Sequence, residues 1–130
     1  MTKLLSILGL FLLVASCSTM GTSSQNQLAV IETWSGSAIG QGAECSDAEV
    51  EIKVLEDFSI KGVAYADRFG LVIRLSGKID PNNDFIASGS GSGGVLVMYK
   101  GSVNGESASG TWETNYADCR GTWKLAKNNQ

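Results

Sequence analysis

Residues 71–79 read Leu-Val-Ile-Arg-Leu-Ser-Gly-Lys-Ile, and this stretch decides the fold. Its odd-numbered positions carry apolar residues or glycine. The even-numbered positions carry Val72 and then the polar residues Arg74, Ser76 and Lys78. Alternation with a period of two is typical of a β-strand that has one face buried and the other in solvent. Residues 48–54 show the same pattern, and no stretch after the first seventeen residues shows a helical period. The chain is therefore predicted to be all-β.

Turn-forming residues divide the chain into strands of similar length. Asn104-Gly105 is a strong signal for a two-residue hairpin. Asp80-Pro81-Asn82-Asn83 predicts another turn, because proline presets one dihedral angle and asparagine tolerates left-handed geometry. We predict eight strands, at about residues 28–36, 44–55, 58–65, 69–79, 84–91, 94–103, 106–114 and 118–126.

Glycines recur inside these predicted strands. They are Gly62, Gly77, Gly89, Gly101, Gly110 and Gly121. Glycine within a strand marks tight bending or a close backbone approach, so six of them predict a strongly coiled sheet that closes on itself. A side chain at Gly77 is expected to collide with the opposite wall. We predict a small antiparallel up-and-down eight-stranded β-barrel over residues 28–130, with a β-sandwich as the alternative.

The first sixteen residues have the pattern of an export signal. Lys3 is the only charged side chain before Glu32, and an apolar run follows it from residue 4 to residue 14. Eleven helical residues extend about 16 Å, which is roughly half the hydrocarbon core of a bilayer. A charged start, a short apolar run and small residues after it predict a secretory signal peptide over residues 1–16.

Val14-Ala15-Ser16-Cys17 resembles the lipobox of bacterial lipoproteins, although leucine is more usual where Val14 stands. The resemblance implies that Cys17 receives a diacylglyceryl group, that signal peptidase II cleaves before it, and that acyl chains such as palmitate anchor the protein. Ser18 follows the cysteine, and the enterobacterial sorting rule then favours the outer membrane, facing the periplasm. Residues 17–27 are small, polar and uncharged, so they predict a lipidated flexible tether in the bacterial cell envelope.

Cys45 and Cys119 are the two cysteines left once Cys17 is assigned to lipid. In an exported domain they predict one disulfide, which by the chain-entropy model stabilises the fold by about 4 kcal/mol. A metal site is not expected, because the chain has no histidine and no Cys-x-x-Cys pair.

Three tryptophans, Trp34, Trp112 and Trp123, allow two interpretations. The tripeptides Gly110-Thr111-Trp112 and Gly121-Thr122-Trp123 are identical and would lie on neighbouring strands of a hairpin. The indoles could line a ligand site in the barrel mouth, as in the avidin and lipocalin barrels, or they could plug the core. We favour the plug, because an eight-stranded barrel interior is just wide enough for side chains to fill it.

No residue pattern points to catalysis. The usual general base, histidine, is absent, and no nucleophile elbow or paired catalytic carboxylate is recognisable. The net charge of −3 without a basic block predicts no nucleic-acid partner. We expect a monomeric non-enzyme without cofactor or metal.

The expected function is that of a membrane-anchored envelope lipoprotein with a binding, inhibitor-type or structural barrel. The chain is loosely similar to small periplasmic lysozyme-inhibitor lipoproteins, which are lipidated eight-stranded barrels with a cysteine near each end. That resemblance implies an envelope protein partner, contacted by a loop that bears serine and lysine. Residues 88–94 with Lys100 are the nearest counterpart, although the Tyr-x-Cys opening of that family is absent before Cys45. The alternative function is a carrier of a small apolar or aromatic ligand inside the barrel.

Overall fold

A computed structural model of the chain describes residues 27–128. Its strands run β1 Val30–Gln41, β2 Ala48–Leu55, β3 Ser59–Ala66, β4 Leu71–Ile79, β5 Asp84–Ser90, β6 Leu96–Asn104, β7 Ser107–Thr114 and β8 Arg120–Lys127. Each strand pairs antiparallel with its neighbours in sequence, and β8 pairs with β1 to close the ring. The predicted up-and-down eight-stranded barrel is confirmed, and the structure is not a sandwich. The predicted signal peptide, Cys17 and the tether up to residue 26 lie outside the described residues.

The barrel has two distinct ends. The end formed by loops 42–47, 67–70, 91–95 and 115–119 is called the mouth below. The opposite end, formed by the turns at 56–58, 80–83 and 105–106, is called the base. Because β1 starts at the base and β8 finishes there, residues 27 and 128 both lie at the base.

Side chains of different size fill the two halves of the interior. Near the base the core is filled by side chains that are each at most 2% exposed, among them Trp34, Ile60, Phe85, Trp123 and Leu125. Toward the mouth the inward positions at the ends of β1, β2 and β3 are alanines: Ala38, Ala48 and Ala66. The base half is therefore filled, whereas the mouth half keeps open space.

The glycines predicted within strands allow neighbouring strands to approach closely. A β-carbon at Gly77 would overlap the backbone carbonyl oxygen of Ile86 on β5, and one at Gly101 would overlap the carbonyl oxygen of Ser109 on β7. Such overlaps arise where a coiled sheet bends sharply. At Gly77 the expected collision with the opposite wall is wrong, because the three nearest atoms all belong to the next strand.

The first strand is longer than predicted. The sequence predicts that it ends at Gly36, but it continues past Gly36 and Gly40 to Gln41. The second strand begins at Ala48 instead of the predicted residue 44. Pairing with β8 accounts for the difference, since residues 34–41 are matched one for one with residues 120–127. The β8 ladder holds residues 39–41 in an extended conformation that Gly40 would not favour alone, since the pairing of β1 with β2 ends at Ala38.

The seam between β1 and β8 is also joined by side chains at the base. Glu32 accepts a hydrogen bond from Trp34 Nε1 at 3.1 Å and forms an ion pair with Lys127 Nζ at 3.0 Å. Asn128 accepts a hydrogen bond from the Ser35 hydroxyl at 2.8 Å. The closed ring of eight strands and the disulfide lie within residues 27–128, so a chain that starts at residue 18 contains the whole ring. None of the helices in that segment has the length and apolar character needed to cross a membrane.

Candidate functional site

An apolar pocket of about 290 Å³ occupies the mouth half of the barrel. Its walls carry the three alanines of β1–β3, together with aliphatic side chains from β4 and β6, including Leu71, Ile73 and Val97. Hydroxyl-bearing residues contribute the few polar groups, and none of the lining residues in the described chain is charged. The pocket exists because alanines stand where bulkier side chains would have filled the ring.

Two aromatic side chains meet over this opening. Phe69, from the β3–β4 loop, and Tyr116, from the β7–β8 loop, lie edge to face with ring centroids 6.0 Å apart. In an eight-stranded ring these two loops stand on opposite sides, so the pair spans the mouth. Both side chains are about half exposed, at 46% and 50%, and both line the pocket.

The loops around the mouth are joined to one another. Cys45 of the β1–β2 loop forms the predicted disulfide with Cys119, the residue that precedes β8, with a Cα–Cα distance of 5.4 Å. The Arg68 guanidinium donates a hydrogen bond to the Ala43 carbonyl at 2.6 Å. Asn115 donates to the Gly94 carbonyl and accepts from the Leu96 N–H, at 3.1 and 2.8 Å. The β7–β8 loop thus holds the rim together, and the disulfide joins two loops rather than two strands.

The β7–β8 loop adopts an unusual backbone conformation. Ala117 and Asp118 both have φ of 52°, in the left-handed region that favours glycine. The Thr114 hydroxyl donates to the Tyr116 carbonyl at 3.1 Å, and the Cys119 N–H donates to that carbonyl at 2.9 Å. These bonds and the disulfide hold the strained pair beside the pocket, and strain of this kind is concentrated at functional sites.

Tyr99 provides the buried polar group of the pocket. Its side chain is only 4% exposed, and its ring packs edge to face against Trp123 at 6.2 Å. The hydroxyl makes no hydrogen bond with any group among residues 27–128, yet its oxygen is not sealed from solvent, so it opens to the pocket that Tyr99 lines. Burial raises the pKa of Tyr99 to about 12, which keeps the hydroxyl protonated at physiological pH.

Two of the three tryptophans lie in the core, as the core-plug interpretation predicts, and the third lies in the pocket wall, as the ligand-site interpretation predicts. Trp34 and Trp123 are buried in the core and do not line the pocket, and Trp123 packs against Phe85 with ring centroids 4.6 Å apart. Trp112 does line the pocket, and its Nε1 donates to the Ile39 carbonyl at 3.2 Å. Two indoles therefore act as core side chains, and one forms part of the pocket wall.

The proposed counterpart of an inhibitor loop is divided in the structure. Ser88 and Ser90 belong to β5, and only residues 91–95 form a loop at the mouth. Lys100 is exposed in the middle of β6, where it pairs with Ile86 and Thr111. A serine- and lysine-bearing loop is not assembled among these residues, which weakens the analogy with the lysozyme inhibitors.

The described segment contains no other cluster suited to chemistry. Across residues 27–128 no group of three or more histidine, cysteine, aspartate or glutamate side chains could hold a metal ion. Hydrogen bonds from the Ser59 hydroxyl and N–H lower the pKa of Asp57, but this carboxylate is exposed in a turn at the base. No protein-family model, curated protein or solved structure matches the chain. The assignment of a function therefore rests on the geometry of the mouth pocket.

Proposed function

We propose that this protein is a non-enzymatic, lipid-anchored envelope protein whose barrel binds a small apolar or aromatic molecule in the mouth pocket. The observation that carries the proposal is an open, uncharged pocket of about 290 Å³ in an otherwise filled barrel. Small-molecule sites are typically concave, largely apolar and furnished with a few polar groups, and they begin at about 300 Å³.

The pocket volume sets the size of the ligand. An apolar protein cavity of about 150 Å³ holds one benzene molecule. The mouth pocket is about twice that size, so it would accommodate a compound of one or two rings. Larger flat molecules would have to extend past Phe69 and Tyr116 into solvent.

The groups around the pocket favour binding over catalysis. Its polar groups are hydroxyls such as those of Ser46, Ser92 and Thr114, and no carboxylate or cationic side chain among residues 27–128 lines the pocket as an acid or base. General acid–base and nucleophilic catalysis need a titratable partner within hydrogen-bond reach of the reacting group. A bound molecule would be held by apolar contact and released unchanged.

The anchoring part of the proposal rests on the lipobox resemblance at Cys17. Because residue 27 joins β1 at the base, a tether formed by residues 17–27 would leave the barrel from its base. Ten flexible residues span roughly 17 Å on average. The mouth would then face away from the membrane and would receive ligands from the aqueous compartment.

Ala66→Leu tests the binding proposal. Ala66 is the last residue of β3 and lines the pocket, so a leucine there would occupy the space of the ligand. Naphthalene, an uncharged two-ring hydrocarbon, is titrated by calorimetry into residues 18–130 with the disulfide formed. We expect saturable binding to the natural sequence and at least about tenfold weaker binding to Ala66→Leu, since an overpacked site loses contacts or shifts backbone.

Ala126→Leu is the matched control. Ala126 is exposed on the outer face of β8, so the same substitution there should leave naphthalene affinity unchanged. Absence of saturable binding to the natural sequence, or equal weakening by both substitutions, would contradict the proposal. Near-ultraviolet circular dichroism of each variant establishes that the barrel is folded.

A further inference from the structure

We infer that the ligand of the mouth pocket is an uncharged ring compound that carries one hydrogen-bonding group, and that this group pairs with the Tyr99 hydroxyl. The inference rests on the proposed function and adds the chemical class of the ligand.

The first argument is the unpaired state of the Tyr99 hydroxyl within the described segment. Buried tyrosine hydroxyls nearly always find a partner, because removing a polar group from water without a hydrogen bond costs free energy. Tyr99 is 4% exposed and bonds to no group in residues 27–128, while its hydroxyl opens to the pocket. A ligand that displaces solvent from the pocket would leave this hydroxyl unpaired unless it places a hydrogen-bonding group beside that oxygen.

The position of Tyr99 makes the hydroxyl a selective contact. Tyr99 lies in the middle of β6, between the mouth and the filled core of the base, and pairs across the ladder with Trp112. Its ring is fixed by the edge contact with Trp123. A rigid, buried hydroxyl discriminates between ligands more strongly than a mobile one, because a ligand without a polar group leaves it unpaired.

The second argument is the absence of charge around the pocket. No lysine, arginine, aspartate or glutamate of residues 27–128 lines it, and burial keeps Tyr99 protonated at physiological pH. Transfer of an ionised group into an apolar site without a counter-charge carries a large penalty. A carboxylate or ammonium ligand would therefore be rejected.

The third argument is the aromatic character of the wall. Tyr99, Trp112 and Tyr116 come from β6, β7 and the β7–β8 loop on one side of the ring, Phe69 comes from the opposite side, and all four line the pocket. Aromatic side chains prefer offset or edge-to-face contacts with other rings, which favour a ring compound over a flexible chain.

Tyr99→Phe tests the inference with three probes of one ring system: naphthalene, 2-naphthol and 2-naphthoate. Phenylalanine keeps the ring and removes only the hydroxyl, and no hydrogen bond within residues 27–128 is lost. The natural sequence should bind 2-naphthol about three- to tenfold more tightly than naphthalene, as one net hydrogen bond allows. Tyr99→Phe should abolish this preference, so that the variant binds 2-naphthol and naphthalene with affinities within about twofold of each other.

The charged probe tests the second argument. At neutral pH 2-naphthoate should bind at least about tenfold more weakly than 2-naphthol, since the pocket offers no counter-charge. Equal affinity for 2-naphthoate and 2-naphthol would overturn the inference. A preference for 2-naphthol over naphthalene that survives Tyr99→Phe would also overturn it, while saturable naphthalene binding would still support the proposed function. Failure of all three probes to bind the natural sequence would overturn the proposed function itself.

Discussion

At Gly77 the backbones of β4 and β5 come so close that hydrogen is the only side chain that fits. The position faces inward by alternation, yet the first atom that a β-carbon would meet is the Ile86 carbonyl oxygen of the adjacent strand, followed by the Ala87 Cα at 2.6 Å. Neither atom belongs to a flexible side chain that could move aside. Residue size at this position therefore controls how tightly the sheet can coil.

Gly77→Val should destabilise the barrel by at least ~2 kcal/mol, although valine is the better strand former by intrinsic preference. Ser76→Val is the control, because Ser76 is exposed on the outer face one residue away, and it should change the free energy of unfolding by less than about 0.5 kcal/mol. Urea denaturation of residues 18–130 measures both. A Gly77→Val variant as stable as the natural sequence would mean that the strands can separate at this point.

Tyr99 should make the stability of the barrel depend on alkaline pH. Its pKa is raised by burial to about 12 in the folded state, against about 10 in the unfolded chain. Above pH 10 the unfolded state loses the proton first, so the stabilisation is complete below pH 10 and falls as the pH rises toward 12. The expected loss from Tyr99 is about 2–3 kcal/mol.

The test is to measure the midpoint of urea denaturation at pH 9 and at pH 11.5 for the natural sequence and for Tyr99→Phe. The variant lacks the titrating group, so its midpoint should decline less over this interval. Equal declines in the two proteins would show that Tyr99 is not the responsible group.

At the scale of elements, the β7–β8 hairpin explains the repeated Gly-Thr-Trp tripeptide. In the antiparallel register Trp112 faces Gly121 and Gly110 faces Trp123, with the two threonines opposite each other. A β-carbon at Gly121 would lie 2.9 Å from Trp112 Nε1, so the glycine leaves room for the indole to reach the Ile39 carbonyl on β1. The glycine of the second tripeptide thus leaves space for the indole of the first. The space for the Trp123 indole is left by Gly101 on β6, where a β-carbon would lie 2.6 Å from Trp123 Cζ2.

Much of the element order is predictable from local patterns, because alternation and turn residues are properties of neighbouring positions. The eight strands and the presence of a hairpin between β6 and β7 follow in this way, although the two turn residues are Gly105 and Glu106 rather than Asn104 and Gly105, because Asn104 pairs with Ser107. The pairing of Cys45 with Cys119 follows from the count of cysteines instead. The end of β1 does not, since its last residues are extended through pairing with β8, which is distant in sequence.

The pocket is less predictable from the sequence than the strands are. Alternation indicates which side chains point inward, but not at which height along the barrel each one stands. Ala38, Ala48 and Ala66 lie on three different strands, and only the strand register brings them to the same end. The sequence therefore predicts a barrel interior that is filled along its whole length, whereas the interior is filled at the base and open at the mouth.

At the scale of the whole molecule, the proposed attachment point and the proposed binding site lie at opposite ends of the barrel. The described chain begins and finishes at the base, and the disulfide, the aromatic pair and the pocket are at the mouth. Movement of a tether attached at the base would not disturb the mouth. This separation suits a barrel held at a membrane and open to the surrounding solution.

Cys17→Ala should give an unlipidated precursor that keeps its predicted signal peptide. The physical reason is that no other side chain of the lipobox carries the sulfur that accepts the diacylglyceryl group. Metabolic labelling of cells with a palmitate analogue, followed by electrophoresis, measures both lipid incorporation and precursor size. Cys45→Ser is the control and should retain the label, whereas equal labelling of Cys17→Ala and the natural sequence would contradict the anchor.

The position of the disulfide bears on how fast the barrel folds. Seven of the eight strand pairings join sequence neighbours, and only the pairing of β1 with β8 requires remote parts of the chain to meet. Gln41 and Arg120, which pair at the mouth end of that seam, are 120 − 41 = 79 residues apart along the chain. The bond between Cys45 and Cys119 shortens this path, because Gln41 is only four residues from Cys45 and Arg120 is only one residue from Cys119. The entropy of closing a loop grows with its length, and long-range pairings slow folding. In an oxidising compartment the last step of ring closure therefore becomes a local zippering from mouth to base, and a reduced chain must find the same register by diffusion.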